Sequence, residues 1–265
     1  MPRILFLLSF ILLGVNPSIA EVQSQAITYE HNSAKLKGVI YWDDEIVGKR
    51  PGVMVVHEWW GLNDYAKQRA KMLAEAGFIA FAADMYGDDK VTTHAEDAKG
   101  WMQQITANTK DWQQRAILGV EKLKEHELAD ANNLAAIGYC FGGSTVMQIA
   151  YAGTGLKGVA SFHGSLPPAP KASHGKIKAK ILVAHGAQDK FVATEKVNKF
   201  TESLINAGAD WEMNIYGSAK HSFTNPDSAN YGIDALGYDK DADNRSWARL
   251  MEFFNEIFQD NGKID

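Results

Sequence analysis

The chain is predicted to be an α/β protein with a mostly parallel central sheet, helices on both faces and antiparallel N-terminal strands, and three observations lead there. From residue 53 onward short apolar runs alternate with amphipathic helical stretches, the order that builds parallel sheets covered on both faces. The runs at 53–56, 78–83, 134–139 and 181–184 are continuously apolar, and 158–162 is broken only by Ser161, as strands buried on both faces are. Two earlier segments, 26–31 and 35–42, flank a short polar turn and read as an antiparallel pair.

Taken in order, Gly48-Lys49-Arg50-Pro51-Gly52 breaks the chain before the run at 53–56. Asp64 can cap a helix that places Ala66, Ala70, Leu73 and Ala76 on one face and stops at Gly77. Helices are expected over 95–105 and 111–126, then the run at 134–139 and a further helix over 144–151. Strands at 158–162, 181–184 and 211–216 enclose a helix over 192–207, and an amphipathic helix over 245–258 closes the chain.

The first residues stand apart. Arg3 precedes an apolar run over 4–15, and Ser18-Ile19-Ala20 offers small residues at the −3 and −1 positions. That is the pattern of a secretory signal peptide over 1–20, cut before Glu21, ahead of a single domain over 21–265. The run is short for a membrane span, so no stable membrane insertion is expected after cleavage. A periplasmic or secreted protein is the resulting expectation. One cysteine cannot form an intramolecular disulfide. A net charge of −5 leaves no basic footprint for nucleic acid. The oligomeric state stays open.

Function is anchored at Gly138-Tyr139-Cys140-Phe141-Gly142-Gly143, between an apolar strand and a helix. A nucleophile on such a turn is exposed on a strained backbone, and small neighbours let strand and helix pass closely, the logic of a nucleophile elbow. The plain alternative is an inert buried thiol at a tight turn. A thiol becomes useful when a base removes its proton and a third group orients that base. Cys140, Asp189 and His221 follow predicted strands in the order nucleophile, acid, histidine. His57, His163 and His185 also lie near strand ends, but they precede the acid.

Five pieces spread over the chain resemble the dienelactone hydrolase family, a cysteine branch of the α/β-hydrolase superfamily. They are His57-Glu58-Trp59-Trp60-Gly61-Leu62-Asn63, Ala83-Asp84-Met85-Tyr86-Gly87, the Cys140 elbow, His185-Gly186-Ala187-Gln188-Asp189 and His221-Ser222-Phe223-Thr224-Asn225-Pro226. The resemblance implies an α/β-hydrolase fold, Cys140 as nucleophile, His221 as base and Asp189 as its orienting acid. It further implies an oxyanion hole from the N–H groups of Phe141 and Trp59, and Glu58 as a carboxylate meeting the resting thiol. Trp60, Tyr86, Ser222 and Phe223 are the expected substrate-binding residues. Two departures stand out: Gly87-Asp88-Asp89-Lys90 lacks an arginine, and Asn225 stands where a substrate-holding arginine follows His-Ser-Phe in the family.

The expected substrate is a small ester or lactone, with no cofactor and no metal. Asp239-Lys240-Asp241-Ala242-Asp243 begins like a calcium loop, but Asn244 and Leu250 occupy the glycine and glutamate positions, so helix capping explains it better. Two rival readings remain: a non-catalytic member of this fold binding a small apolar ligand, and a cysteine thioesterase or peptidase.

Overall fold

The computed structural model describes residues 22–259, so the signal-peptide reading of residues 1–20 lies outside the described residues. The strands are β1 (Val22–His31), β2 (Ala34–Asp43), β3 (Arg50–Val56), β4 (Ile79–Ala83), β5 (Ala129–Tyr139), β6 (Gly158–Phe162), β7 (Lys180–Gly186) and β8 (Trp211–Tyr216). The helices are α1 (Asp64–Glu75), α2 (Ala95–Thr106), α3 (Thr109–Lys124), α4 (Phe141–Tyr151), α5 (Thr194–Ala207) and α6 (Lys240–Gln259). All eight strands form one sheet in the order β1-β2-β4-β3-β5-β6-β7-β8. Pairing is antiparallel for β1 with β2 and β2 with β4, and parallel for the rest.

Successive strand residues point to opposite faces, and this splits the core in two. Met54 and Val56 face α3, α4 and α5, where Val120, Leu123, Val146, Ile149, Phe200 and Leu204 are buried. Val53 and Val55 face α1 and α6, against Ala66, Ala70, Leu73, Leu250, Phe253 and Phe254. A strand with apolar residues at every position is the sequence form of this two-faced burial.

The cap of α1 is Asn63, one residue before the expected Asp64; its side chain accepts the Ala66 N–H at 3.3 Å. The acidic cluster at 239–243 is split between two tasks. Asp239 accepts the Ala242 N–H at 3.0 Å, capping α6 five residues earlier than expected. Asp243 pairs with the buried Arg69 of α1 at 2.7 Å. Arg69 also donates to the Thr224 carbonyl, tying the His221 loop to both helices on that face.

Strand order places the site. From β3 the chain moves outward to β4, then returns across β3 to β5 and continues in the other direction. The loops after β3 and β5 therefore diverge, leaving the crevice where open sheets of this kind bind ligands. The register Val56↔Gly138, then Tyr139↔Phe162, Phe162↔Ala184 and Gly186↔Tyr216, brings the loops after β3, β5, β6, β7 and β8 to one edge.

Glycines make the central crossing close. A Cβ on Gly138 would lie 2.1 Å from the Gly142 carbonyl oxygen, and one on Gly142 would lie 2.2 Å from the Val56 oxygen. Both obstacles are backbone, which cannot rotate away. Gly142→Ala should therefore destabilise the fold by about 3 kcal/mol, lowering Tm by roughly 6–12 °C in a domain of this size. The control is Gly100→Ala in α2, where a Cβ meets nothing within 4 Å; removing backbone freedom there should stabilise by roughly 0.5–1 kcal/mol. Calorimetry of the two variants beside wild type checks both.

Candidate active site

Cys140 follows β5 and caps α4 with φ 54° and ψ −112°, a conformation that costs a side-chain-bearing residue roughly 1–3 kcal/mol. Its N–H donates both to the Phe162 carbonyl at 3.0 Å and to His163 Nδ1 at 3.1 Å. Cys140 is partly exposed, at the wall of a cavity.

Asp189 leaves β7 in a loop fastened to the loop that carries His221: the Gln188 N–H donates to the Ala219 carbonyl at 2.9 Å. Gly186 permits this, because a Cβ there would sit 2.4 Å from the Ala219 oxygen. Asp189 Oδ2 then lies 2.7 Å from His221 Nδ1, while Oδ1 accepts the Phe191 N–H at 2.9 Å. With Nδ1 bonded to Asp189, Nε2 is the nitrogen left for Cys140, which lines the same cavity as the ring and interacts with it electrostatically. Sulfur, imidazole and carboxylate thus stand in series.

The electrostatics of the series follow from burial and charge together. Burial favours a neutral His221, but the Cys140 sulfur beside it, the hydrogen bond to Asp189 and the Asp189 charge prevail, raising its pKa to about 10. Burial would raise the Asp189 carboxyl; the hydrogen bond and charge of His221, with the Phe191 N–H, instead hold it below the usual range.

Glu58 is fully buried behind these groups. Its carboxylate accepts hydrogen bonds from Ser222 Oγ and, at 2.7 Å, from Asn225 Nδ2. Burial raises its pKa, against the lowering effect of those two bonds and of the charges on His221 and Arg69. The hydrogen bonds of the expected thiol-meeting carboxylate thus run to the His221 loop. Asn225, at the position of the family's arginine, is occupied in holding that carboxylate.

Phe141 is the first residue of α4, where an N–H has no intrahelical acceptor. The Trp59 N–H meets no backbone acceptor among the described residues, while its carbonyl accepts from Tyr86 Oη at 3.1 Å. His57 braces the same loop by bonding the Glu58 carbonyl through Nδ1 and accepting the Met85 N–H at Nε2, 3.1 Å away.

The cavity has a volume of about 310 Å³. Trp59, Met102, Trp112, Phe141, Phe191 and Leu236 give it apolar walls around Cys140 and His221, and Thr106, Ser144, Ser165 and Lys196 add polar groups. None of the four expected substrate-binding residues lines it. Trp60 is buried and stacked on Tyr231 with centroids 3.9 Å apart. Tyr86 is buried between His57 and Phe141. Ser222 is turned to Glu58, and Phe223 packs in the α1–α6 core against His163 and Tyr216. Aromatic side chains next to buried strands are drawn into the core by their area.

The residues that do line the cavity come from α2, α3, α4, the start of α5 and the loops after β3, β6, β7 and β8. Ser144, one helical turn beyond Cys140, and Phe191, two residues after Asp189, had a sequence signal through their spacing. Met102, Trp112 and Leu236 had none. Among the described residues no three His, Cys, Asp or Glu side chains converge as metal ligands, and no helix is long and apolar enough to cross a membrane.

A cysteine elbow at the switch point of a mostly parallel sheet, with acid and histidine delivered by the next strands, defines an α/β-hydrolase fold. The chain belongs to the dienelactone hydrolase family, whose profile matches residues 36–258. It is similar to a dienelactone hydrolase-like promiscuous phosphotriesterase from metagenomic libraries. That similarity is 36% identity over 89% of this chain and 98% of the other, with a TM-score of 0.86. An Aquifex aeolicus protein bearing a carboxymethylenebutenolidase name is 26% identical over 87% of this chain and 97% of its own. A Bradyrhizobium protein bearing the name of a 2-oxo-3-(5-oxofuran-2-ylidene)propanoate lactonase is 28% identical over 67% of this chain and 75% of its own. This chain is accordingly a carboxylic ester hydrolase, of esters or lactones, with a small-molecule substrate.

If the Cys140 sulfur and Asp189 are what raise His221, removing either must lower it. In Asp189→Asn and in Cys140→Ala, the His221 titration followed by NMR should fall from about 10 toward its ordinary value near 6.5. The sign follows because each change withdraws stabilisation from the imidazolium. A titration that stays put in both variants would place the cause elsewhere.

Proposed function

We propose that the chain hydrolyses activated esters and lactones, of the enol lactone and aryl ester type, through a Cys140 thioester. The observation that carries this reading is the His221 ring hydrogen-bonded to Asp189 and lining the same cavity as Cys140, at the turn into α4. The thiolate attacks the substrate carbonyl, and the resulting oxyanion is received by the N–H groups of Trp59 and Phe141. The C–O bond then breaks, the leaving oxygen takes the proton of His221, and an acyl group remains on sulfur. Water gives a proton to His221 as it attacks the thioester, and the thiolate departs with the acid released.

Sulfur limits the substrate. Thiolate leaves a tetrahedral intermediate more readily than an ordinary alkoxide, so simple alkyl esters revert, whereas enolates and phenolates depart. The apolar walls fit an aromatic or hydrocarbon body. Lys196 lines the cavity and makes no ion pair with any described residue. It is therefore the cation available for a substrate carboxylate in the absence of the family's arginines, as a point charge rather than a fork. The apolar N-terminal run with its small-residue end supports export with cleavage before Glu21.

The enzyme should turn over 4-nitrophenyl acetate and leave ethyl acetate nearly untouched; comparable rates would defeat the leaving-group argument. Mass spectrometry during turnover should show an acyl adduct on Cys140, and Cys140→Ala should lose both adduct and activity, where a non-catalytic binder shows no difference between the two proteins. Offering thioester and amide substrates at equal concentration separates a thioesterase or peptidase. Lys196→Gln should lower kcat/KM about three- to tenfold for a 4-nitrophenyl ester with a distal carboxylate and leave the neutral ester unchanged, the gap closing in high salt.

A further inference from the structure

The site contains a third buried histidine that the proposed chemistry does not use. His163 follows β6, beside Cys140 in the register, and is fully buried. Its backbone φ of 40° is unusual for a residue with a side chain, and its N–H is held by the Ala184 carbonyl at 2.8 Å. The ring is held at both nitrogens: Nδ1 accepts the Cys140 N–H at 3.1 Å, and Nε2 lies 2.7 Å from Thr224 Oγ1. Thr224 is three residues beyond His221, on the loop gripped by Arg69 through its carbonyl and by Tyr65 through its hydroxyl at 2.5 Å.

An N–H donor at Nδ1 requires that nitrogen to be bare, so the ring proton belongs on Nε2, donated to Thr224. A second proton would set two N–H groups against each other at the nucleophile. Burial, and then the charges of His221, Arg69 and His185 around it, keep His163 neutral. The Cys140 N–H already has a backbone acceptor in Phe162, so the ring is not needed merely to satisfy a donor. What it adds is a rigid link between the strained nucleophile and the loop that carries the base.

We propose that His163 is a positioning residue, a neutral strut between the backbone N–H of Cys140 and the hydroxyl of Thr224 that sets the sulfur against His221. The inference rests on the reading of Cys140 as the nucleophile. A misplacement on the order of 1 Å between reacting groups costs about a hundredfold in rate, which sets the expected scale.

The test separates the two ends of the strut. In His163→Asn the amide oxygen falls near the place of Nδ1 and retains an acceptor for Cys140; in His163→Gln the longer amide reaches toward Thr224 and abandons Cys140. With 4-nitrophenyl acetate, kcat should fall about tenfold or less in the Asn variant and about a hundredfold in the Gln variant, with KM within twofold in both. The pH profile of Cys140 alkylation by iodoacetamide should move toward that of a free thiol in the Gln variant only. Equal kcat in wild type and both variants, or equal losses that track lowered Tm, would overturn the proposal and leave a packing residue. Independently of any variant, ¹⁵N-histidine NMR of the wild-type protein should show His163 protonated on Nε2; a proton on Nδ1 overturns it too. Full activity in Cys140→Ala would instead remove the nucleophile reading itself.

Discussion

A single steric constraint underlies the arrangement: β5 must turn into α4 with almost no room between them. Gly138 and Gly142 supply that room, and the residue between, Cys140, is left in a conformation that side chains avoid. The strain is held because both sides are already committed, β5 to its ladder with β3 and β6 and α4 to a fully buried helix. The same turn presents the sulfur to the crevice and the first N–H groups of α4 to the same space. The helix end also favours negative charge there, though the effect is modest beside that of His221.

Around this turn, three histidines with the same side chain behave in two different ways because their partners differ. His221 faces a sulfur and a carboxylate and is driven toward the charged form. His163 and His57 each accept a backbone N–H at one nitrogen, from Cys140 and Met85, and stay neutral in a dry setting. Glu58 completes the balance: a buried carboxylate held by two uncharged donors, Ser222 and Asn225, and close enough to His221 to interact with it. The Asn225 amide holds Glu58 without adding a second buried positive charge beside Arg69.

Much of this was legible in the sequence. Continuous apolar runs located the buried strands, and the glycines around Cys140 located the turn, because both are local consequences of backbone geometry. The order of Cys140, Asp189 and His221 followed from strand ends, which the sheet collects at one edge. The cavity lining was not legible. Trp60, Tyr86 and Phe223 are adjacent to site residues in the chain, yet burial of their large apolar area carries them into the core. Met102, Trp112 and Leu236 arrive from distant elements, and no local pattern distinguishes a side chain facing a cavity from one facing its neighbours.

The chain by itself determined the class of fold, the strained cysteine turn and the series of groups available to it, since each depends on residue type and spacing within a few positions. Tertiary structure decided the rest: that Glu58 bonds to Ser222 and Asn225, that His163 reaches the Cys140 backbone, and which aromatic rings border open space. These depend on how the β3–β5 switch and the helices bring separate loops together, and hydrogen-bond direction within about 3 Å is set only once those loops have met.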